Sequence, residues 1–451
     1  MRLVLAAGAL VAAAYAIGSL PRFRPPLRVL LAVYAFVLPF GSALTLAEGP
    51  AGFNTVSSLV GAAVCGGLLL HVPLRGWRAP APPGASLPWL LLVGWAGLTT
   101  LWAPSFELSS QAFLVLFSLV ALYALAIHTP IQARDVRWLE IGVVAGATLH
   151  AARGVYLGLT NQLQQVDGKL PRFSTEGGDP NITAATFLLP LFLALWWSGH
   201  ATTLARRTAA LTASGVLVAA IVLTGSRGGL VAVVVTLPFL LRQADRRGRW
   251  RLTAATLVLV LAAATAFVAG PPGLQSHLSQ ASSTGRTDIW VVGLTACQDG
   301  CWVGHGWGNF GLIYRETWLS DLALTGSGDK TWAPHNILLG TLVETGLVGV
   351  LLLVLGFALL VRELLRLPRH VRAAPLCALV ALMASNVFLS NVGFKYFWLT
   401  LLYATAVVMV SRREGEVEPA PPGGVARPLA FAPSSPARVH VVRPTRQEPD
   451  P

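Results

Sequence analysis

An arginine flanked by glycines could bind an anionic substrate in this sequence. Arg227 lies between two apolar runs, with Gly225, Gly228 and Gly229 around it. An arginine at membrane depth is costly and usually has a partner or a water-filled cavity. Its guanidinium binds phosphate in a planar, bidentate way, and glycines let the backbone approach an anion closely. The pattern predicts a phosphate contact, although an arginine that only snorkels from a helix end would look similar.

A second arginine precedes a short predicted helix. The segment from Ile289 to Ala296 has helical character, with Thr287 or Asp288 near its N-terminus and Arg286 just before it. A helix N-terminus carries partial positive charge, so together with an arginine it suits an anion. A solvated loop arginine is the alternative interpretation of Arg286.

Two further titratable residues lie at or inside the apolar run that begins near residue 336. His335 follows Pro334 and could act as a general base or acid near neutral pH. Its alternative is a capping or interfacial histidine. Glu344 lies inside the apolar run, where a carboxylate is a functional candidate by default. It could equally bond neighbouring backbone and shape a helix break at Gly346.

Other site chemistries have weak support. The histidines are scattered, and no carboxylate pair has the spacing of metal ligands, so we predict no metal and no cofactor. No phosphate loop or dinucleotide fingerprint is present. Residues 304–310 are glycine-rich but lack that spacing, and they predict a tight turn with aromatic side chains exposed for packing or for stacking on sugar rings.

The composition indicates the elements that must position these residues. Of 451 residues, 54% are hydrophobic and 12% are charged, about half the charged fraction of soluble domains. Continuous apolar runs of membrane length predict an all-α, polytopic membrane protein and not an alternating barrel. The net charge of +13 comes largely from short loops between runs, which is typical of topology signals, so we predict no nucleic-acid partner.

About thirteen transmembrane helices are expected, with twelve as the close alternative. The apolar runs are 3–20, 27–47, 54–74, 88–103, 109–127, 138–158, one that follows Asn181 and ends near Trp197, then 208–224, 230–241, 252–270, 336–361, 373–390 and 394–410. We interpret the first as an uncleaved span, because cleavage would leave the basic cluster at residues 22–24 outside.

Charge asymmetry predicts the orientation and the domains. Strongly basic loops at 242–251 and 362–372 should be cytoplasmic, whereas residues 270–334 carry three basic and five acidic residues, a net charge of −2. We therefore predict transmembrane helices in 1–269, an extracytoplasmic loop domain in 270–334, further helices in 335–411 and a disordered cytoplasmic tail in 412–451. In an external loop, Cys297 and Cys301 could form a local disulfide.

Several short motifs, taken together, resemble those of a known family. They are TGSRGG at 224–229, Gly285 and Arg286 followed by Trp290, GHGWGNF at 304–310, PHNILL at 334–339, VETGLVG at 343–349, and DPN at 179–181. In this order the chain is similar, over about 170–350, to the O-antigen ligase and O-antigen polymerase family of membrane glycosyltransferases.

The resemblance implies a metal-independent, inverting glycosyltransferase of lipopolysaccharide or polysaccharide biosynthesis. The donor would be a glycan on polyprenyl diphosphate, and the acceptor a hydroxyl of a glycolipid or glycan at the periplasmic face of the inner membrane. Arg227 and Arg286 would stabilise the diphosphate, and His335 would orient or deprotonate the hydroxyl. Substrate contacts are expected from the following residues in these motifs: Ser226, Asn336, Asn181, Trp290 and Glu344.

The acceptor stays open at this point. A ligase, a polysaccharide polymerase and a protein O-oligosaccharyltransferase share the arrangement, and no residue selects among them. A transporter or flippase of lipid-linked glycans is a further alternative, since those proteins bind near the bilayer midplane on broken helices and often have internal repeats. No repeat is evident here, and the polar residues cluster toward one face.

Overall fold

The computed structural model of the protein describes residues 27–44, 55–74, 82–163, 171–174, 178–270, 274–279, 286–298, 300–317 and 332–417. Within those ranges the regular structure is helical, without a β-strand. The predicted first run at 3–20, most of the tail and parts of the 159–179 and 270–334 segments lie outside the described residues. The chain divides into two units, residues 1–412 and residues 413–451.

Sixteen α-helices make up the described structure. They are α1 Leu27–Val37, α2 Val56–Leu74, α3 Leu87–Thr99, α4 Phe106–Ile127, α5 Ala133–Leu159, α6 Pro180–Thr186, α7 Leu188–His200, α8 Leu204–Leu223, α9 Arg227–Gln243, α10 Arg246–Val268, α11 Leu274–Ser279, α12 Arg286–Cys297, α13 Phe310–Thr317, α14 Ile337–Leu365, α15 Arg369–Asn386 and α16 Lys395–Val417. Short 3₁₀ turns extend α1 to Leu44 and flank α3 at Gly84–Ser86 and Thr100–Trp102.

The prediction of an all-α polytopic membrane protein is confirmed. Within the described residues, each of the twelve apolar runs after the first overlaps at least one helix. In the described part of the chain, six helical stretches are long and apolar enough to cross a membrane: Gly84–Trp102, Phe106–Ile127, Pro180–His200, Leu204–Leu223, Arg246–Val268 and Ile337–Leu365. Other helices are too short or not apolar enough to be counted among these six. For example, α9 has only 17 residues, and α5 carries several charged side chains.

Helix α7 is central and α10 is peripheral. The apolar stretch Pro180–His200 is 89% buried, whereas that of Arg246–Val268 is 17% buried, so most of α10 is available to lipid. Helix α8 packs against α5, α7 and α10, and α15 packs against α7 and α9. Helices α1 and α5 pack closely because small residues lie between them. A Cβ at Gly142 or Gly146 of α5 would overlap the backbone of α1 at Ala32 or Phe36.

Helix α14 is interrupted at Gly346, where φ is 68° and ψ is −170°. This φ is one that side-chain-bearing residues rarely adopt, and a Cβ at this position would overlap the carbonyl oxygen of Trp302. The interruption leaves backbone groups without helical partners, so partners must come from elsewhere. The predicted helix break at this glycine is thus confirmed.

The loop after α12 supplies those partners. Four backbone hydrogen bonds join it to the break: His305 N to Val343 O at 2.9 Å, Gly306 N to Glu344 O at 2.9 Å, Leu347 N to Cys301 O at 2.7 Å, and Val348 N to Trp302 O at 3.5 Å. The indole of Trp95 on α3 also donates to Thr345 O at 2.7 Å. The break therefore anchors the segment 300–310 to α14.

Candidate functional site

The predicted catalytic residues lie at or just before the starts of helices. Arg227 is the first residue of α9 and Arg286 the first residue of α12. His335 comes two residues before α14. The prediction of a short helix after Arg286 is confirmed, and that helix begins at Arg286 itself. Because helix N-termini carry partial positive charge, their dipoles add to the charge of the two arginines.

A third arginine belongs to the same cluster. Arg172 is partly buried, and its Nε donates a hydrogen bond to Thr224 O at 2.7 Å. The neighbouring backbone is fixed beside it, since Phe173 N donates to Leu223 O at 3.0 Å. These two bonds hold the segment 171–174 against the end of α8, three residues before Arg227 in the sequence.

The charges of neighbouring guanidinium groups affect the pKa values of Arg172 and Arg286. Burial lowers the pKa of Arg172, Asp179 opposes that shift, and the charges of Arg227 and Arg286 add to it. Burial likewise lowers the pKa of Arg286, with a further decrease from Arg227 and an opposing effect of Asp179. Three cations and one carboxylate therefore share the site, which carries an excess of two positive charges when His335 is neutral. Such an excess suits a multiply charged anion.

Asp179 supplies the negative charge and also starts α6. Its Oδ1 accepts hydrogen bonds from the backbone N of Asn181 at 2.7 Å and from Asn181 Nδ2 at 3.0 Å. This is the geometry of a helix N-cap, with Pro180 at the first helical position. The capping bonds fix the carboxylate in place, so its influence on the arginines does not depend on a mobile side chain.

His335 has a backbone conformation that its residue type rarely adopts. Its φ is 46°, in the left-handed region, and its side chain is half-buried. Burial lowers the pKa of the imidazole, Arg286 adds to the decrease, and Asp179 opposes it. Backbone strain of this kind costs on the order of 1–3 kcal/mol and clusters at functional sites. Burial and the charge of Arg286 therefore favour the neutral form of the ring, which can accept a proton.

The turn between α15 and α16, which is distant in sequence from the arginines, also contacts the site. The Arg286 guanidinium lies over the Phe388 ring, 5.7 Å from its centroid. Asn336 Nδ2 donates to Val387 O at 3.3 Å. A Cβ at Gly228 would lie 3.1 Å from the Phe388 Cβ, so this ring also packs against the start of α9.

Three predicted substrate contacts are engaged in local hydrogen bonds. Ser226 is 1% exposed, and its Oγ accepts from Gly229 N at 3.2 Å as the N-cap of α9. Asn336 Oδ1 accepts from the backbone N of Leu338 and of Leu339 at 2.9 and 3.0 Å, as the N-cap of α14. Asn181 donates to Asp179, as described above. These bonds give the three side chains a part in ordering the site, and their contact with substrate stays a prediction.

Glu344 has a structural contact that its alternative interpretation anticipated. Its Oε1 accepts from Phe310 N at 3.3 Å, at the first residue of α13. A carboxylate at this end of a helix is stabilised by the helix dipole. No described contact joins Glu344 to the arginine cluster, and a role in substrate binding stays a prediction.

The glycine-rich turn differs in part from its prediction. Gly304, Gly306 and Gly308 all have positive φ, as a tight turn requires. The aromatic side chains, however, are not exposed: Trp307 and Phe310 are buried. The expected stacking surface on this turn is wrong, because the turn packs into the helices. Trp307 N, for instance, donates to the Thr99 hydroxyl at 3.1 Å.

Trp290 and the cysteines lie further along α12. Trp290 packs half-buried against the apolar cluster that α12, α13 and α14 share. Its indole N–H has no hydrogen-bond partner among the described residues, and its contact with substrate stays a prediction. Cys297 and Cys301 form a disulfide that links the end of α12 to the loop anchored at the α14 break.

The sequence contained a signal for Arg172 that we did not use. Arg172 lies in a connector between two predicted apolar runs, and a position between two apolar runs is what singled out Arg227. Phe388 had no such signal, since one aromatic residue in an apolar region is usual. Across the described ranges, no group of three or more His, Cys, Asp or Glu side chains is placed to hold a metal ion.

Comparison with known proteins matches the central part of the chain. Residues 212–354 match the family model described as O-antigen ligase. A protein of Pseudomonas aeruginosa named O-antigen ligase is 28% identical over 239 residues, which are 52% of this chain and 52% of that protein. The chain thus spans about half the length of the curated relative that it matches.

The matched segment contains the predicted catalytic residues. Arg227, Arg286 and His335 fall inside 212–354, whereas Arg172 and Phe388 fall outside it. The resemblance inferred from the motifs is confirmed. Residues 212–354 of this multi-pass membrane protein are similar to the O-antigen ligase family.

Proposed function

We propose that the protein is a metal-independent, inverting glycosyltransferase that moves a glycan from polyprenyl diphosphate to an acceptor hydroxyl, as an O-antigen ligase. The observation that carries the proposal is the clustering of Arg172 and His335 with Arg227 and Arg286, the first residues of α9 and α12. The match to the O-antigen ligase family supports it. We place the reaction at the periplasmic face of the inner membrane.

On the donor side, the arginines bind the diphosphate. A diphosphate that links a lipid to a sugar carries two negative charges, which equals the excess positive charge of the cluster. When the bond between the anomeric carbon and the phosphate oxygen breaks, the leaving lipid diphosphate gains one negative charge. Preorganised guanidinium groups stabilise that developing charge, which is usually the largest single contribution to catalysis.

On the acceptor side, His335 removes the proton. The hydroxyl oxygen attacks the anomeric carbon from the face opposite the diphosphate, so the configuration inverts. The hydroxyl proton passes to the neutral imidazole and then to water. A general base of this kind contributes typically about 10²–10⁴-fold to the rate. The lowered pKa of His335 keeps it neutral at physiological pH.

Reconstitution tests this function. The purified chain in proteoliposomes would receive a polyprenyl-diphosphate glycan together with lipid A–core, a free glycan or a peptide as the acceptor. Transfer to lipid A–core, in the presence of a chelator and with inversion at the anomeric carbon, is the expected result. Transfer only to glycan or peptide would instead assign a polymerase or a protein transferase. Movement of intact donor across the bilayer, without transfer, would assign a flippase and overturn the proposal.

Variants of the predicted residues connect the activity to the site. We expect Arg227→Lys and Arg286→Ala each to lower turnover by more than about tenfold. The first keeps the charge but loses the guanidinium fork, and the second loses both. His335→Gln should lose turnover by about 10²–10⁴-fold while the protein still binds donor. Arg153→Lys, an exposed arginine on α5, is the matched control. Normal turnover in all three site variants would contradict the assignment.

A further inference from the structure

The turn between α15 and α16 lies outside the family segment yet touches its charged residues. Local hydrogen bonds order the turn: Asn386 Oδ1 accepts from Asn391 N at 3.2 Å, and Phe388 N donates to Ser385 O at 3.1 Å. Asn336 Nδ2 ties the turn to the start of α14 by its bond to Val387 O. Phe388 is therefore held on a fixed backbone beside the site.

Phe388 contacts two arginine-bearing helix starts. The Arg286 guanidinium lies 5.7 Å from the ring centroid, within the range of a cation–π contact. The ring and Cβ also pack against Gly228, the residue after Arg227, and a Cβ there would lie 3.1–3.4 Å from Phe388 atoms. One aromatic side chain thus contacts the start of α9 and the first side chain of α12.

The arginines need such a contact before substrate arrives. Arg227 lowers the pKa of Arg286, so the two cations repel each other, and Asp179 is the opposing carboxylate. A guanidinium that is not held would swing away from its neighbour. The negative face of an aromatic ring attracts a cation without adding a formal charge that would compete with the anionic substrate.

We propose that Phe388 is a positioning residue that holds the Arg286 guanidinium beside Arg227 in a geometry suited to diphosphate. The inference rests on the proposed function for its substrate. It adds to that function a residue of the α15–α16 turn, beyond the segment that the family model matches.

A graded series of substitutions tests the role of the ring. Phe388→Leu keeps an apolar side chain but removes the aromatic face, whereas Phe388→Trp keeps and strengthens that face. We expect Phe388→Leu to raise the KM for the polyprenyl-diphosphate donor and lower kcat/KM by about tenfold, with the acceptor KM unchanged. Phe388→Trp should restore most of the activity. Phe239→Leu, an exposed ring on α9, is the control.

The pH profile gives a readout that a merely structural role would not move. Arg286 lowers the pKa of His335, so a displaced guanidinium should let that pKa rise. The acid limb of kcat/KM should therefore move to higher pH in Phe388→Leu and stay in place in Phe388→Trp. Equal folded amounts and equal Tm values in detergent would confirm that the variants are compared as folded protein.

Binding of inorganic pyrophosphate separates this inference from the proposed function. We expect calorimetry to show about tenfold weaker binding to Phe388→Leu than to wild type or to Phe388→Trp. If that pattern appears but wild type transfers no glycan, the positioning role stands and the proposed function falls. If wild type transfers glycan and Phe388→Leu matches it in pyrophosphate affinity and pH profile, the positioning role is overturned.

Discussion

Burial and two neighbours of opposite charge shift the pKa of His335. Burial and Arg286 lower the pKa of the imidazole, and Asp179 opposes them. The neutral ring is the form that accepts a proton, so a lowered pKa extends the active range toward acid. Activity should fall only when the pH drops through a value below the ordinary 6.5.

Two substitutions should move this limb in opposite directions. Arg286→Gln removes a nearby cation, so the pKa of His335 should rise and the acid limb of the residual kcat/KM should move to higher pH. Asp179→Asn removes the carboxylate but keeps a capping oxygen for α6, so the limb should move to lower pH. Profiles of kcat/KM over about pH 5 to 8 would measure both shifts. Shifts in the same direction would contradict the assigned neighbours.

Arg172 should matter as a guanidinium and not only as a charge. Arg172→Lys loses the bond from Nε to Thr224 O as well as the planar fork. We expect turnover to fall by more than about tenfold, since charged hydrogen bonds of this kind are worth about 1.5–3 kcal/mol. Donor binding and turnover, measured with Arg153→Lys as the control, would test this. A variant as active as the control would leave Arg172 a structural residue.

Sequence reasoning identified the residues of the site whose types are unusual for their surroundings. Arg227 and Arg286 stand out because charge is rare near membrane spans, and His335 because it follows a polar loop and precedes an apolar run. Phe388 could not be identified, since its role depends on a contact between residues about a hundred positions apart. Local patterns give residue chemistry, but they do not give such long-range partners.

At the scale of elements, the break in α14 depends on one glycine. Gly346 has a φ of 68°, and a Cβ there would overlap the Trp302 carbonyl. Gly346→Ala should therefore lower the free energy of unfolding by about 1–3 kcal/mol or more. Thermal unfolding in detergent, together with the folded yield, would measure the loss.

A second glycine provides the opposite expectation. Gly94 of α3 has open space around its Cβ position and no positive φ. Gly94→Ala should leave stability unchanged or raise it by roughly 0.5–1 kcal/mol, the usual helical preference for alanine. If both substitutions behave alike, the backbone at Gly346 is not the constraint that its geometry indicates.

The helices themselves were predictable, whereas the anchoring of the break was not. Continuous apolar runs leave the backbone no partner but itself in lipid, so the runs at 109–127 and 208–224 form the helices α4 and α8. The glycine-rich turn was predicted to expose its aromatic residues, yet it inserts beside α14. The reason is that the break offers backbone groups for the turn to bond, and sequence spacing does not show that pairing.

At the scale of the whole molecule, the orientation in the membrane is a prediction. We expect the loop 270–334 to be periplasmic, because it has a net charge of −2 between two basic loops. The disulfide between Cys297 and Cys301 agrees with an oxidising compartment.

Cysteine labelling by an impermeant reagent tests the orientation. Cys65 and Cys377 are first replaced by alanine, and the disulfide is left intact. Ser282→Cys and Ser320→Cys should be labelled in cells with a permeabilised outer membrane. Leu204→Cys, at the exposed start of α8, should be labelled only after the inner membrane is opened. The reverse pattern would overturn both the orientation and the location of the reaction.

The contacts of the α15–α16 turn also bear on the order in which the protein matures during synthesis. A ribosome that has translated as far as Leu365 has already made Arg172, Arg227, Arg286 and His335. The turn that bonds Asn336 and packs on Arg286 comes later, at Val387 and Phe388. A nascent chain thus carries every charged group of the site before it has the turn that holds them. Until α15 and α16 have entered the bilayer, the growing protein should bind a lipid-linked substrate more weakly than the finished protein.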